Sequence, residues 1–138
     1  MCLIDANALV NLVDNKQPRS AEFRALFNIL QRPLFTTWPA FTEAMYLVFG
    51  IGGWPMERKL WDFILLDIIR FHFPDEAETH RIVYLMEVYR DRPMDLADAS
   101  LVAAAESLDD PRILTQDSDF YIYRYRDNLT FEVLPEAL

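Results

Sequence analysis

Four carboxylates of this chain stand where a charge is locally out of place. Asp5 directly follows the apolar run MCLI, and Asp117 follows RILTQ, so each falls where a buried strand gives out. Glu43 is the one charged residue in WPAFTEAMYLVFG. Asp98 lies in MDLADASLVAAAE, where the stripe Leu101, Val102, Ala105 and Leu108 extends back onto it in helical steps of three and four. Burying an ionised carboxylate without a partner is very costly. Two like charges ~4 Å apart repel by ~1 kcal/mol in water and ~4 kcal/mol at an effective dielectric near ~20. One divalent cation would account for all four acids. Mg²⁺ and Mn²⁺ prefer oxygen donors and keep several waters, whereas His72 and His80 stand apart from each other and from the single cysteine, Cys2, so no zinc set is offered.

Each acid also admits a plainer reading. Asp5 suits the N-cap of a following helix, Asp117 suits a turn cap, and Glu43 suits a solvent-facing helix position. Asp95, three residues before Asp98, reads as an N-cap in its own right. Four separate explanations are then needed where the cation needs one.

These residues require particular elements to bring them together. Turn signals at DNKQPRS, GIGGWP, FPDE, RDRPMD, LDDPR and RDN divide the chain. Between them MCLI, PLFTT, DIIRFHF, RILT and LTFEVL read as strands. Phe23, Leu26, Phe27 and Leu30 mark a helix, as do residues 39–49, with Pro39 acceptable in a first turn. Met56, Leu60, Phe63 and Ile64 mark another, Ile82, Leu85, Met86 and Tyr89 a fourth, and the Asp98 segment a fifth. Alternating strands and helices predict a three-layer α/β/α sandwich with a mostly parallel central sheet. Ligand sites in such sheets form at the carboxyl ends of strands. The length suits a single domain over residues 1–138 with a sizeable core.

Composition narrows the setting. A lone cysteine excludes an internal disulfide and fits a reducing compartment. The chain opens without a basic leader, and its longest uncharged run, AMYLVFGIGGWPM, is too short to span a bilayer, so a cytoplasmic protein with no membrane association is expected. A formal net charge of −9 argues against phosphate binding through a broadly basic surface. It predicts weak nonspecific affinity for nucleic acid.

The ordered segments LIDANALVNLV, TTWPAFTEAMYLV, RPMDLADASLVAAAE and RILTQDSDFYIYR resemble the PIN domain and, within it, the VapC-type ribonuclease toxins. That resemblance implies an acid-lined Mg²⁺ or Mn²⁺ site formed by Asp5, Glu43, Asp98 and Asp117. Asn7 and Thr115 then support phosphate or water, Asp119 is the variable extra acid before Phe120, and Asp95 is a cap or outer partner. The implied reaction is hydrolysis of RNA phosphodiesters by water activated at the ion. The toxin likeness further implies a homodimer and a cognate antitoxin. Phe23, Phe27, Tyr46, Trp54 and Trp61 are candidates for a partner surface, and each suits a core equally. Arg124 and Arg126, interleaved with Tyr121, Tyr123 and Tyr125, offer a ledge for single-stranded bases and phosphate; an amphipathic edge with solvated arginines explains them as well. Two other functions stay open: a non-catalytic PIN-fold binding scaffold, and an aspartate-based phosphotransfer domain. The latter lacks a lysine at a late strand end and the paired aspartates of a haloacid-dehalogenase-type nucleophile motif.

Overall fold

The apolar runs pair in parallel, as a central α/β sheet requires. A computed structural model describes residues 1–136, so the last two residues of the predicted domain lie outside the described residues. The elements run β1 (Leu3–Ile4), α1 (Ala6–Val13), α2 (Ser20–Ile29), β2 (Leu34–Thr37), α3 (Trp38–Gly52), α4 (Trp54–Leu65) and β3 (Ile69–His72). There follow α5 (Glu76–Val88), α6 (Leu96–Leu108), β4 (Arg112–Leu114), a 3₁₀ turn (Ser118–Tyr121), β5 (Arg124–Tyr125), β6 (Leu129–Thr130) and β7 (Glu132–Leu134). The main sheet has the order β3-β2-β1-β4-β7, and every pairing in it is parallel.

Side chains alternate across a strand, and here the alternation sorts the helices into two layers. Leu3 and Ile113, opposite each other on β1 and β4, pack into the cluster that holds Ile82 and Leu85 of α5 and Leu101 and Val102 of α6. Ile4 and Leu114, the next pair along, pack into the other cluster, with Leu9 of α1, Phe23 of α2, Val48 of α3 and Leu60 of α4. The predicted three-layer sandwich is the observed one.

Helix ends follow local chemistry. Thr37 caps α3, its hydroxyl accepting from the Ala40 N–H, and Pro39 occupies the first turn. Asp95 caps α6 through the Asp98 N–H at 2.8 Å. The segment LTFEVL, expected as one strand, is two. Leu129–Thr130 pairs antiparallel with β5, whereas Glu132–Leu134 pairs parallel with β4. Between them Phe131 turns inward against Phe120 and Tyr125, at ring distances of 5.7 and 5.8 Å. Burying that ring is worth more than continuing one ladder. Among the described residues no helix is long and apolar enough to cross a membrane.

The aromatic residues considered for a partner surface divide. Phe23 and Phe27 are core, Trp61 is half-buried, and Tyr46 and Trp54 are 79% and 57% exposed.

Candidate active site

Strand order reverses beside β1: β2 and β3 lie on one side of it and β4 on the other. Carboxyl ends of neighbouring strands diverge at such a point and leave a crevice. Asp5 leaves β1 there, its N–H donating to the Leu114 carbonyl of β4 at 2.9 Å. Its side chain is 3% exposed and doubly held. Oδ1 accepts the Ala6 N–H at 2.7 Å and so caps α1, while Oδ2 accepts the Thr115 hydroxyl at 2.8 Å. The cap reading and the site reading of Asp5 are therefore compatible.

Thr115 is the node of the crevice. Besides donating to Asp5, its hydroxyl accepts the Asp117 N–H at 2.9 Å and the Asn7 amide at 3.3 Å. Asn7 also donates to Asp5 at 3.3 Å and accepts the Gln116 N–H at 3.0 Å. One hydroxyl and one carboxamide thus fix the first and fourth acids relative to each other.

Asp98 enters from the first turn of α6. One oxygen from each of Asp5, Asp98 and Asp117 lies within 4.8 Å of the other two. Glu43 of α3 is exposed and lies outside this trio, yet near enough that its charge raises the Asp5 pKa and the Asp117 charge raises its own. Asp95 caps α6. Asp119 donates its N–H to Asp117 Oδ1 at 2.9 Å and pairs with Arg92 at 3.5 Å, so it orders the rim.

The ledge of arginines is not brought to the trio. Arg126 pairs with Asp109 at 2.8 Å, and its backbone N–H donates to Glu106, at the opposite end of α6 from Asp98. Eleven helical residues separate Asp98 from Asp109, a rise of about 16 Å. Arg124 donates to the carbonyls of Tyr121 and Tyr123. Both act as fasteners of the β5–β6 hairpin.

Sequence reading placed Tyr123 on the aromatic ledge and missed its bond to Asp98. Fully buried beneath α6, it stacks edge-on with Tyr89 and Phe120 and donates its hydroxyl to Asp98 Oδ2 at 2.8 Å. Burial and the Asp98 carboxylate raise its pKa far above the ordinary phenol value, so it remains a donor. The alternation of YIYRY hinted at one inward-facing face; only the fold could say which acid that face meets.

All four acids hold protons too tightly for isolated carboxylates. Burial is the main cause for Asp5, pushed up to about 7, with the charges of Asp117 and Glu43 adding to it. Burial likewise pushes Asp98 up to about 8, together with Asp95, Asp5 and Asp117. Asp117 and Glu43 move upward for the same reason. Without a cation, burial and mutual repulsion favour the protonated forms of these acids.

A family model, the PIN domain, matches residues 2–125. The chain belongs to the PIN domain family. No curated protein matches it in sequence. Among solved structures, a Mycobacterium tuberculosis VapC toxin described as cleaving the sarcin–ricin loop superposes with a TM-score of 0.79 at 13% identity, covering 86% of this chain and 92% of that one. A toxin–antitoxin complex from Klebsiella pneumoniae gives 0.64 at 20% identity, over 87% and 90% of the two chains. At these identities the likeness is one of fold.

The crevice of this PIN domain fits a hard divalent cation. Its donors are all carboxylate oxygens, they converge, and burial, with the neighbouring acids adding to it, disfavours their charged form in the absence of a cation. Tyr123→Phe leaves the ring packing in place and removes one hydrogen bond to Asp98. Loss of an outer-shell partner typically costs about 10–100-fold in metal affinity or activity. A fall within that range, read by calorimetric titration with Mn²⁺ and by RNA cleavage, is expected with little change in melting temperature.

Proposed function

We propose that this PIN domain, spanning residues 1–138 as one unit, is a Mg²⁺- or Mn²⁺-dependent endoribonuclease that acts as the toxin of a type II toxin–antitoxin pair in the cytoplasm. The observation that carries the reading is the convergence of Asp5, Asp98 and Asp117 within 4.8 Å at the strand-order reversal. Membership of the PIN family and the toxin fold of its structural neighbours support it.

Asp5, Asp98 and Asp117 would hold the ion, with Glu43 reaching the same charge from α3. When bound, the ion supplies positive charge for the developing phosphorane and lowers the pKa of water in the crevice. The residues do the rest. Thr115 and Asn7 fix the Asp5 carboxylate, Thr115 also holds the Asp117 backbone N–H, and the Asp119 N–H holds the Asp117 carboxylate, so that little reorganisation is needed as charge develops. Tyr123 holds Asp98 in one orientation. Glu43, exposed on α3 and with a raised proton affinity, would orient the attacking water and accept its proton.

An antitoxin and a second copy of the chain are the partners this reading carries. Its support is an apolar groove of about 450 Å³ between α3 and α4, walled by Trp38, Phe41, Met45, Tyr46, Phe49 and Trp61.

The test is cleavage of structured and single-stranded RNA with Mg²⁺ or Mn²⁺, with and without EDTA, for wild type and Asp98→Asn. Metal-dependent cleavage lost in Asp98→Asn is expected. Absence of cleavage in wild type would leave the fold as a binding scaffold, whereas equal activity in both forms, or activity in EDTA, would reject the metal-dependent assignment of these acids.

A further inference from the structure

The negative charge of this chain conceals an uneven distribution of its cations. Most of its arginines are spent in ion pairs. Among the described residues, five Lys and Arg side chains form no salt bridge. Two of these are otherwise occupied: Arg32 lies over the Phe27 ring at 5.2 Å, and Arg124 bonds backbone carbonyls. The remaining three are Arg24 and both lysines of the chain, Lys16 and Lys59. They come from α2, the loop after α1, and α4, yet all three line a single cavity of about 520 Å³. Two acids also line it. Asp14 accepts from Gln17 at 2.9 Å while its charge faces Lys16 and Lys59, and Asp62 pairs with Arg58 at 2.9 Å. Three cations brought by separate elements against two carboxylates, one of them already in an ion pair, leave the cavity positively charged and suited to an anionic ligand.

A second cavity lies between this one and the acid crevice. It holds about 220 Å³, meets the first at Ile51, and reaches the crevice at Asn7. No charged side chain lines it. Its walls are Val10, Leu47 and Ile51, and its polar groups are carboxamides. Gln116 Nε2 and Gln17 Oε1 have no protein partner among the described residues, and Asn11 Oδ1 is unpaired and buried as well. Buried polar atoms are seldom left unpaired, so Asn11 Oδ1 calls for a donor. A neutral, planar group with donors and acceptors on its edge would match apolar walls and amide edges together.

The three features follow one helix. Acids gather at the N-terminus of α1, the amide cavity flanks its middle, and the cationic cavity lies past its C-terminus; eight residues span about 12 Å. Leu47 and Ile51 continue, at four-residue steps, the face of α3 that carries Glu43.

The geometry points to a track for single-stranded RNA along α1: a nucleobase seated among Asn11, Gln17 and Gln116, and a neighbouring phosphate gripped by Lys16, Arg24 and Lys59. The inference rests on the nuclease reading for the identity of the strand. It also resolves how so acidic a chain engages a polyanion, since a few unpaired cations beside the site replace a basic surface.

The test measures binding of a fluorophore-labelled single-stranded RNA in EDTA across a salt series, so that no cleavage intervenes. Neutralising Lys16 and Lys59 together (K16Q/K59Q) should weaken binding by about tenfold or more at low salt and flatten the log K–log salt slope by up to about 0.7, the value for one phosphate contact on a single strand. R24Q should act in the same direction, K16R/K59R should restore the slope, and R90Q, a surface control, should change neither. Ranking four homopolymer RNAs tests the seat: Gln17→Ala and Gln116→Ala should change the preferred base, altering preference ratios by about tenfold. An unchanged slope in K16Q/K59Q and R24Q overturns the track, even if they lose an acidic protein partner, and an unchanged base ranking overturns the seat. Because binding is read without metal, a slope change in a protein that cleaves no RNA leaves the track standing and removes the nuclease reading instead.

Discussion

Asp5→Asn should remove RNA cleavage and, in the absence of divalent cations, make the protein harder to unfold at pH 8. The two effects share one cause. Asp5 is buried and pushed up to about 7, so at pH 8 its ionised form sits in surroundings that penalise charge. Asparagine keeps an oxygen to cap the Ala6 N–H and leaves no charge to solvate. The gain expected is about 1–2 kcal/mol, the scale of a single stabilising change at a strained functional site. Activity should fall by more than about a hundredfold, beyond the range for losing an outer-shell partner. The gain should be smaller at pH 5.5, where folded wild-type Asp5 is already protonated, and vanish only below the unfolded value of 3.8. Thermal melts in EDTA at the two pH values, beside cleavage assays in Mn²⁺, read both arms. A variant less stable than wild type at both pH values would make Asp5 an ordinary helix cap.

The second large effect is a reversal of the pH dependence of stability by metal. Asp5 and Asp98 each start from 3.8 in the unfolded chain and rise to about 7 and about 8 in the fold. Between these values the folded state holds protons that the unfolded state has released. Metal-free stability is therefore complete below the unfolded value and is lost as pH rises through 7 and 8. The slope is at most about 1.4 kcal/mol per pH unit for each proton involved. Buried Asp5 dominates, because solvent screens the more accessible Asp98. Asp110, held well below the usual carboxylate range by Arg112, acts in the opposite sense and only in more acid solution. A divalent cation needs these oxygens deprotonated, so its binding releases protons and strengthens with pH. At a hundredfold excess over its dissociation constant it adds about 2.7 kcal/mol. Melts with Mg²⁺ or Mn²⁺ should thus show a shift that grows from pH 5.5 to pH 8, and this growth should be absent in Asp98→Asn. A metal shift independent of pH would place the ion away from the trio.

The same cluster explains why this fold tolerates acids in its core. Thr115 and Asn7 satisfy the lone pairs that burial would otherwise leave bare, and Tyr123 does so for Asp98. Each is a neutral donor. A basic partner would neutralise the crevice permanently and displace the cation, whereas hydroxyl and amide groups orient the carboxylates without cancelling their charge.

Much of this protein was legible in the residue order. Short apolar runs between turn signals and helical spacing predicted the alternation of strands and helices, because these patterns depend on local backbone geometry. Asp5 and Asp117 could be placed at strand ends, and Asp95 as a cap, from short-range pattern alone. What the sequence could not contain is distance across the fold. Asp5 and Asp117 are separated by the whole chain between their strands, and only the β1–β4 pairing brings them together, with Thr115 between. Tyr123 could be recognised as an aromatic but not as the partner of Asp98, since the β5–β6 hairpin chooses which tyrosine faces α6. Arg124 and Arg126 follow the fourth acid in sequence yet fasten the hairpin, while Lys16, Arg24 and Lys59, scattered in sequence, share a cavity. Local pattern is decided within a few residues by sterics and burial; which charges meet is decided by packing between elements, where neighbours in space need not be neighbours along the chain.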